Sequence, residues 1–164
     1  MAESVLTVPL TRGYVALVDE VDYARVVAAG RWNIRPHGKT IYAQRGIALP
    51  DGRRSTQQMH QFITGAIGID HHNGDGLDNR RSNLRVGTQA QNCANTRIRS
   101  NNKSGFKGVS WKKSNGAWVA QIRRDNKSYH LGLFSDREEA ARAYDAAAIE
   151  FFGEYARINF PEEH

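Results

Sequence analysis

Residues 105–153 read GFKGVSWKKSNGAWVAQIRRDNKSYHLGLFSDREEAARAYDAAAIEFFG, and the apolar period changes once within them, from two to about 3.6. Before Phe134 the chain alternates: Trp118, Ala120 and Ile122 share one face of a strand, Val119, Gln121 and Arg123 the other. The first set is expected in the core and the second exposed. Turn residues cut this part into three strands, 106–112, 117–123 and 128–134, joined at Asn115-Gly116 and around Asp125-Asn126. Ser135-Asp136-Arg137-Glu138 then has the spacing of a capping box. Beyond it Ala140, Ala143 or Tyr144, Ala147 and Phe151 recur at helical spacing up to Gly153. Alanine on that stripe lets the helix lie close over the sheet. The expected fold here is a three-stranded antiparallel sheet packed on one helix.

Phe106-Lys107-Gly108-Val109, the run WVAQIR at 118–123, Leu131-Gly132-Leu133-Phe134, EEAARAYD at 138–145 with Ala147-Ala148, and Ile158-Asn159-Phe160-Pro161 carry a resemblance. Region 105–161 is similar to the APETALA2/ethylene-response-factor (ERF) DNA-binding fold. The resemblance implies that the sheet lies in the major groove of double-stranded DNA and reads bases from its side chains. Carried over by position, the reading face comprises Lys107, Ser110, Lys112, Gln121, Arg123, Ser128 and His130. Several of these positions hold Arg or Trp in the plant regulators, so the docking mode is expected to persist with a different target. Bidentate recognition of guanine is expected at Arg123, and generic phosphate contact is an equal reading for Lys107 and Lys112.

Upstream, residues 98–104 are polar and basic and read as a linker, flexible or tracking a DNA backbone or minor groove. Before them, residues 59–95, MHQFITGAIGIDHHNGDGLDNRRSNLRVGTQAQNCAN, carry a second constellation. Ile67 and Ile69 suit a short strand into Asp70-His71, Asn73 to Arg80 is a Gly- and Asx-rich loop, and Thr88 to Thr96 reads as a polar helix with Thr88 as N-cap and Gln91 three residues on. Oxygen donors beside one imidazole suit a hard cation with an activated water. Taken singly, the Asx and Gly residues are ordinary turn formers. A calcium loop fails on its glycine position, and zinc fails for want of a second cysteine beside Cys93.

His60, Gly65, Asp70-His71, Asn73-Gly74-Asp75, Asp78-Asn79-Arg80, Asn83-Leu84-Arg85 and Asn92 resemble the HNH endonucleases of the ββα-metal type, especially intron-associated and phage-borne homing enzymes. The resemblance implies His71 as general base, Asp70 and Asn92 as ligands of a divalent cation, magnesium or manganese, and Asn83 as a structural tie of the loop. His60 is a further catalytic candidate and equally a core histidine. Arg80 and Arg85 would clamp phosphate, Arg80 alternatively pairing within the loop. Two departures are Gln61, where Arg is usual, and His72, where an aliphatic residue is common.

Length and composition are consistent with this pairing. The 164 residues predict one or two small domains, and 23 Lys+Arg against 17 Asp+Glu give a net charge of +6. With a pI near 9.7, the chain favours an anionic partner, nucleic acid before membrane. One cysteine excludes an internal disulfide framework and suits a reducing cytoplasm. No leader pattern or membrane-length apolar run is visible, so a soluble, cytoplasmic protein is expected. Residues 4–58 read as a small β-rich lead-in: strands at 5–10 and 14–18, a helix capped by Asp19 with Val21, Ala24, Val27 and Ala28 as its apolar face, and strands at 32–34, 41–47 and after Asp51-Gly52. Arg35, His37, Lys39, Arg45, Arg53 and Arg54 line either a phosphate-facing surface or an ordinary solvated one.

The whole is therefore expected to be α+β. An HNH nuclease domain would occupy 1–97, with its lead-in at 1–58 and its motif at 59–95; the linker 98–104 and the ERF-like domain 105–161 would follow. The expected function is metal-dependent, site-directed DNA cleavage by a monomer that nicks one strand. The alternative is a sequence-specific transcriptional regulator that binds DNA without cutting. RNA binding is weaker, because the reading face lacks exposed aromatic pairs for stacking.

Overall fold

The computed structural model describes residues 5–164, so the first four residues of the expected N-terminal domain lie outside it. The chain divides between Gly87 and Thr88 into two compact units.

In the first unit β1 (Val5–Pro9) and β2 (Val15–Asp19) form a hairpin, Val5 opposite Asp19 and Pro9 opposite Val15. Helix α1 (Glu20–Ala28) follows, then a sheet of β3 (Asn33–His37), β4 (Thr40–Ala48) and β5 (Arg54–Gln58) in sequential order. Helix α2 (Met59–Thr64) leads to a second short hairpin, β6 (Ile69–His71) with β7 (Leu84–Val86). The core is Val8, Ala16, Val18, Val26, Trp32, Ala43, Met59 and Ile63. Trp32 satisfies its indole N–H on the Val26 carbonyl at 2.8 Å, and the Arg45 guanidinium lies over the rings of Trp32 and Phe62.

Two expectations for α1 are corrected. Val21 and Val27 are 73% and 46% exposed, whereas Asp22 and Val26 are buried. An aspartate occupies the inward face because Arg25 and Arg81 both donate to its carboxylate, at 2.9 Å and 2.7 Å through their Nε atoms. Burial pushes this carboxyl up, but the bonds from Arg81 and Arg25 outweigh it and hold the group below its ordinary range. Asp19 stands at the N-cap position of α1 without a side-chain cap; its Oδ2 accepts the Arg81 backbone N–H at 2.7 Å. The same aspartates thus pin the 72–83 loop to the helix.

The second unit contains α3 (Gln89–Ala94), a sheet ordered β10 (Lys127–Phe134), β9 (Ala117–Arg124), β8 (Val109–Lys112), and α4 (Arg137–Phe152). The division falls before α3, ahead of the expected boundary at 97, because Ala90 and Ala94 pack with Ile122, Tyr144 and Phe152. The stretch expected as a linker is structured too: Ser104 is 3% exposed and donates to the Val109 carbonyl at 2.8 Å. Of a ββα element, the first unit holds the two strands, and α3 is counted with the second.

Local expectations for the sheet and helix also shift. β8 starts at Val109 because Gly108 has φ +75°, and a Cβ there would stand 1.8 Å from Cδ2 of Tyr144. Asp136, one residue later than expected, caps α4 by accepting from the N–H groups of Glu138 and Glu139. The buried face of α4 is Ala140, Ala141, Tyr144, Asp145, Ala147, Ala148 and Phe152, with Phe151 at its margin. No described helix is long and apolar enough to cross a membrane.

Candidate nucleic-acid interface

Strand pairing fixes which side chains share the outer face of the second unit's sheet. Gln121 stands opposite His130 and Arg123 opposite Ser128, while Ser110 and Lys112 pair with Val119 and Ala117. Alternation puts these away from Val109, Ala120 and Ile122, which are buried against α4. Ser110, Lys112, Gln121, Arg123, Ser128 and His130 are all exposed, and together they offer hydroxyl, amide, imidazole and two cationic donors on a surface about three strands wide. Val119, expected among the exposed residues, is only 6% exposed. A register shift between His130 and Gly132 ends the regular part of this face. Gln121 and Arg123 also border a cavity of about 1020 Å³ shared with Thr88, Cys93 and Arg99.

Lys107 is placed differently. Its ammonium turns inward to donate to the Ala94 carbonyl at the end of α3, and burial, then Arg157, lowers its pKa to about 8. Its backbone is held by Asn159, which accepts from its N–H at 2.7 Å and donates to its carbonyl at 3.2 Å. Asn159 is held in turn by Asp145. That carboxylate is fully buried and accepts the N–H groups of Asn159 and Phe160 and the Asn159 amide, all within 2.9 Å. Sequence periodicity overlooked Asp145; the Ile158-Asn159-Phe160 segment that needs its acceptors was the available signal. Lys107 is thereby a brace of the sheet, and the exposed polar row begins at Ser110.

In the first unit the expected site residues fall as follows. His71 and His60 are both buried, their rings 5.0 Å apart between centroids, and Tyr42 stands edge-on to each. Burial, then the charge on His71, lowers His60 to about 3. Burial also lowers His71, against a hydrogen bond with Asn79 and the charges of Asp70, Asp75 and Asp78. His72 is exposed. Asn83 ties the loop, accepting from the Asn73 N–H at 2.9 Å and donating to the Asp78 carbonyl at 2.8 Å. Arg80 clamps Asp78 at 2.7 Å and 2.6 Å. Arg85 holds Asp70 Oδ2 through two donors at 3.0 Å and 2.8 Å.

Of the residues that the endonuclease resemblance gives to a divalent cation, Asp70 accepts from Arg85 through Oδ2, and Asn92 lies on α3 with its Oδ1 buried.

Residues 104–154 match the family model described as AP2 domain. The matched segment lies wholly within the second unit, which is thus similar to AP2 domains. An ethylene-responsive transcription factor of Arabidopsis thaliana is 49% identical over 59 residues, covering 35% of this chain and 32% of that protein. An AP2-like ethylene-responsive transcription factor of Oryza sativa subsp. japonica is 49% identical over 57 residues, covering 34% and 9%. The dehydration-responsive element-binding protein 2A of Arabidopsis thaliana is 44% identical over 63 residues, covering 37% and 18%. The chain thus spans a third or less of the relatives it matches. Residues 65–94 match a model described as HNH endonuclease, a segment that runs across the boundary between the two units. The relatives are named as transcription factors, and with the AP2 match this overturns the expectation of an endonuclease and of an enzyme.

Proposed function

We propose that the chain is a sequence-specific regulator that binds double-stranded DNA without transforming it, through the outer face of the β8–β9–β10 sheet. The observation that carries this is the row Ser110, Lys112, Gln121, Arg123, Ser128 and His130. All are exposed on one face of a sheet whose other face is locked to α4, inside the segment that matches the AP2 model. Three strands at ~4.8 Å spacing span about 10 Å between their outer axes, against a major groove about 12 Å wide. There Arg123 reaches guanine through two parallel donors, Gln121 suits adenine, and Lys112 at the strand end suits phosphate. The relatives' names, transcription factor and response-element-binding protein, support the same reading.

Repeated selection of duplexes from a random pool with the full chain, at fixed salt, tests it. Enrichment of one motif, bound at least ~10³-fold tighter than unrelated duplex, is the expected result. Uniform recovery of the pool would sink the reading.

A further inference from the structure

The first unit carries a charge concentration that the AP2 sheet does not use. Residues 31–54 hold six cationic side chains and one acid, net +5 of the chain's +6. Arg45 is spent on the rings of Trp32 and Phe62, and Arg53 pairs with Asp51 at 2.7 Å. Arg31, Arg35, Lys39 and Arg54 are exposed, and among the described residues none of the four meets a carboxylate.

Register places these groups. Arg35 pairs with Tyr42, His37 with Thr40 and Arg54 with Ala48, so all three lie on the face of the sheet opposite buried Ala43. From Tyr42 to Ala48 the rise is about 20 Å at ~3.3 Å per residue. That is roughly the length of six base pairs at ~3.4 Å per phosphate on one strand. The cations therefore fall at two ends of the face, Arg35 with His37 and Lys39 at one and Arg54 at the other, with exposed Thr56 between. Tyr42, on the same face, is half-buried against His60 and His71, and no large apolar side chain is exposed in that interval to serve as the wedge that an interfacial membrane surface needs.

We infer that the outer face of the β3–β4–β5 sheet is a second DNA-backbone surface, gripping phosphates at two points on a duplex and contributing affinity without reading sequence. The choice of duplex DNA over other polyanions rests on the function proposed above; the surface itself does not.

The test compares binding of the full chain to a duplex across a salt series with that of the triple variant Arg35→Gln, Lys39→Gln, Arg54→Gln and of Thr56→Lys. All four positions are exposed, and melting curves matching wild type check the fold. The triple variant is expected to flatten the slope of log K against log salt by about 2–3, equally for every sequence, and Thr56→Lys to steepen it by about 1. Unchanged slopes in both variants overturn the inference. So does a triple variant that loses binding to anionic lipid vesicles while its duplex isotherm stays put. If the wild type binds all duplexes alike but the slopes move as stated, the second surface stands and the sequence-specific reading falls.

Discussion

At the scale of single residues, Arg123 and Lys107 separate an exposed cation from a bracing one. Both are cationic, both fall on the face inferred from the resemblance, and only the geometry tells them apart. Arg123 is exposed, with Asn126 as a distant 3.4 Å partner, so its guanidinium is available to a base edge. Arg123→Ala is expected to weaken binding to the selected duplex by about 1–3 kcal/mol while changing affinity for unrelated duplex far less. Equal losses on both, measured by anisotropy at one salt concentration, would reassign it to phosphate. Lys107→Met is expected to leave the sequence preference intact, because the ammonium is turned to Ala94. Asp145 belongs at this scale too. Its replacement by Ala strips acceptors from three donors on Asn159 and Phe160, so a loss of at least about 3 kcal/mol is expected in urea unfolding, against less than half of that for an exposed acid such as Glu150. Periodicity could not expose Asp145 or Asp22, since both are polar residues on inward faces, and what makes them fit is a partner distant in sequence.

Elements were more legible than their faces. β9 and β10 of the second unit lie within a residue of where alternation and turn residues put them, because Asn115-Gly116 and Asp125-Asn126 permit the left-handed backbone that tight connections demand: Gly116, Asp125 and Asn126 all have positive φ. Helix α3 likewise follows from its cap: Thr88 accepts from the Gln91 N–H, and the Gln91 side chain returns to the Thr88 N–H. What local sequence could not supply was where α3 belongs, since its short apolar edge, Ala90 and Ala94, says little about which core receives it. The constellation around His71 shows the same limit. Its loop is tied by Asn83 and Arg80, yet the pairing of Arg85 with Asp70 joins residues fifteen apart that no local pattern links. Thr88→Ala should cost about 1 kcal/mol, read as faster amide exchange over Gln89–Ala94 with the exchange of α4 unchanged.

For the molecule as a whole, two separate cores imply two different responses to pH. In the first unit His60 is buried with Nδ1 lacking a hydrogen-bond partner among the described residues, and its pKa is lowered to about 3. Unfolded, it returns to about 6.5. Between these values the unfolded chain binds the extra proton, so stability is complete above about pH 6.5 and declines as the pH falls towards 3, with a limiting slope near 1.4 kcal/mol per pH unit for one histidine. His71 is shifted in the same direction and steepens the decline. In the second unit the shifted base is half-buried Lys107, whose window lies between about 8 and the ordinary lysine value of 10.5, where stability rises with pH. Acidification from pH 7 to 5 should therefore loosen the first unit ahead of the second. Hydrogen exchange resolved by peptide should show the core strands β2 and β4 losing protection at pH 5 while β9 and α4 keep theirs. Replacing His60 with Phe, which fills the same site beside Tyr42 without a titrating nitrogen, should flatten that acid response. Equal loss of protection in both units would overturn this ordering, and a response unchanged in His60→Phe would assign the first unit's acid sensitivity to Asp22 and Asp78, which their arginines hold below the ordinary range.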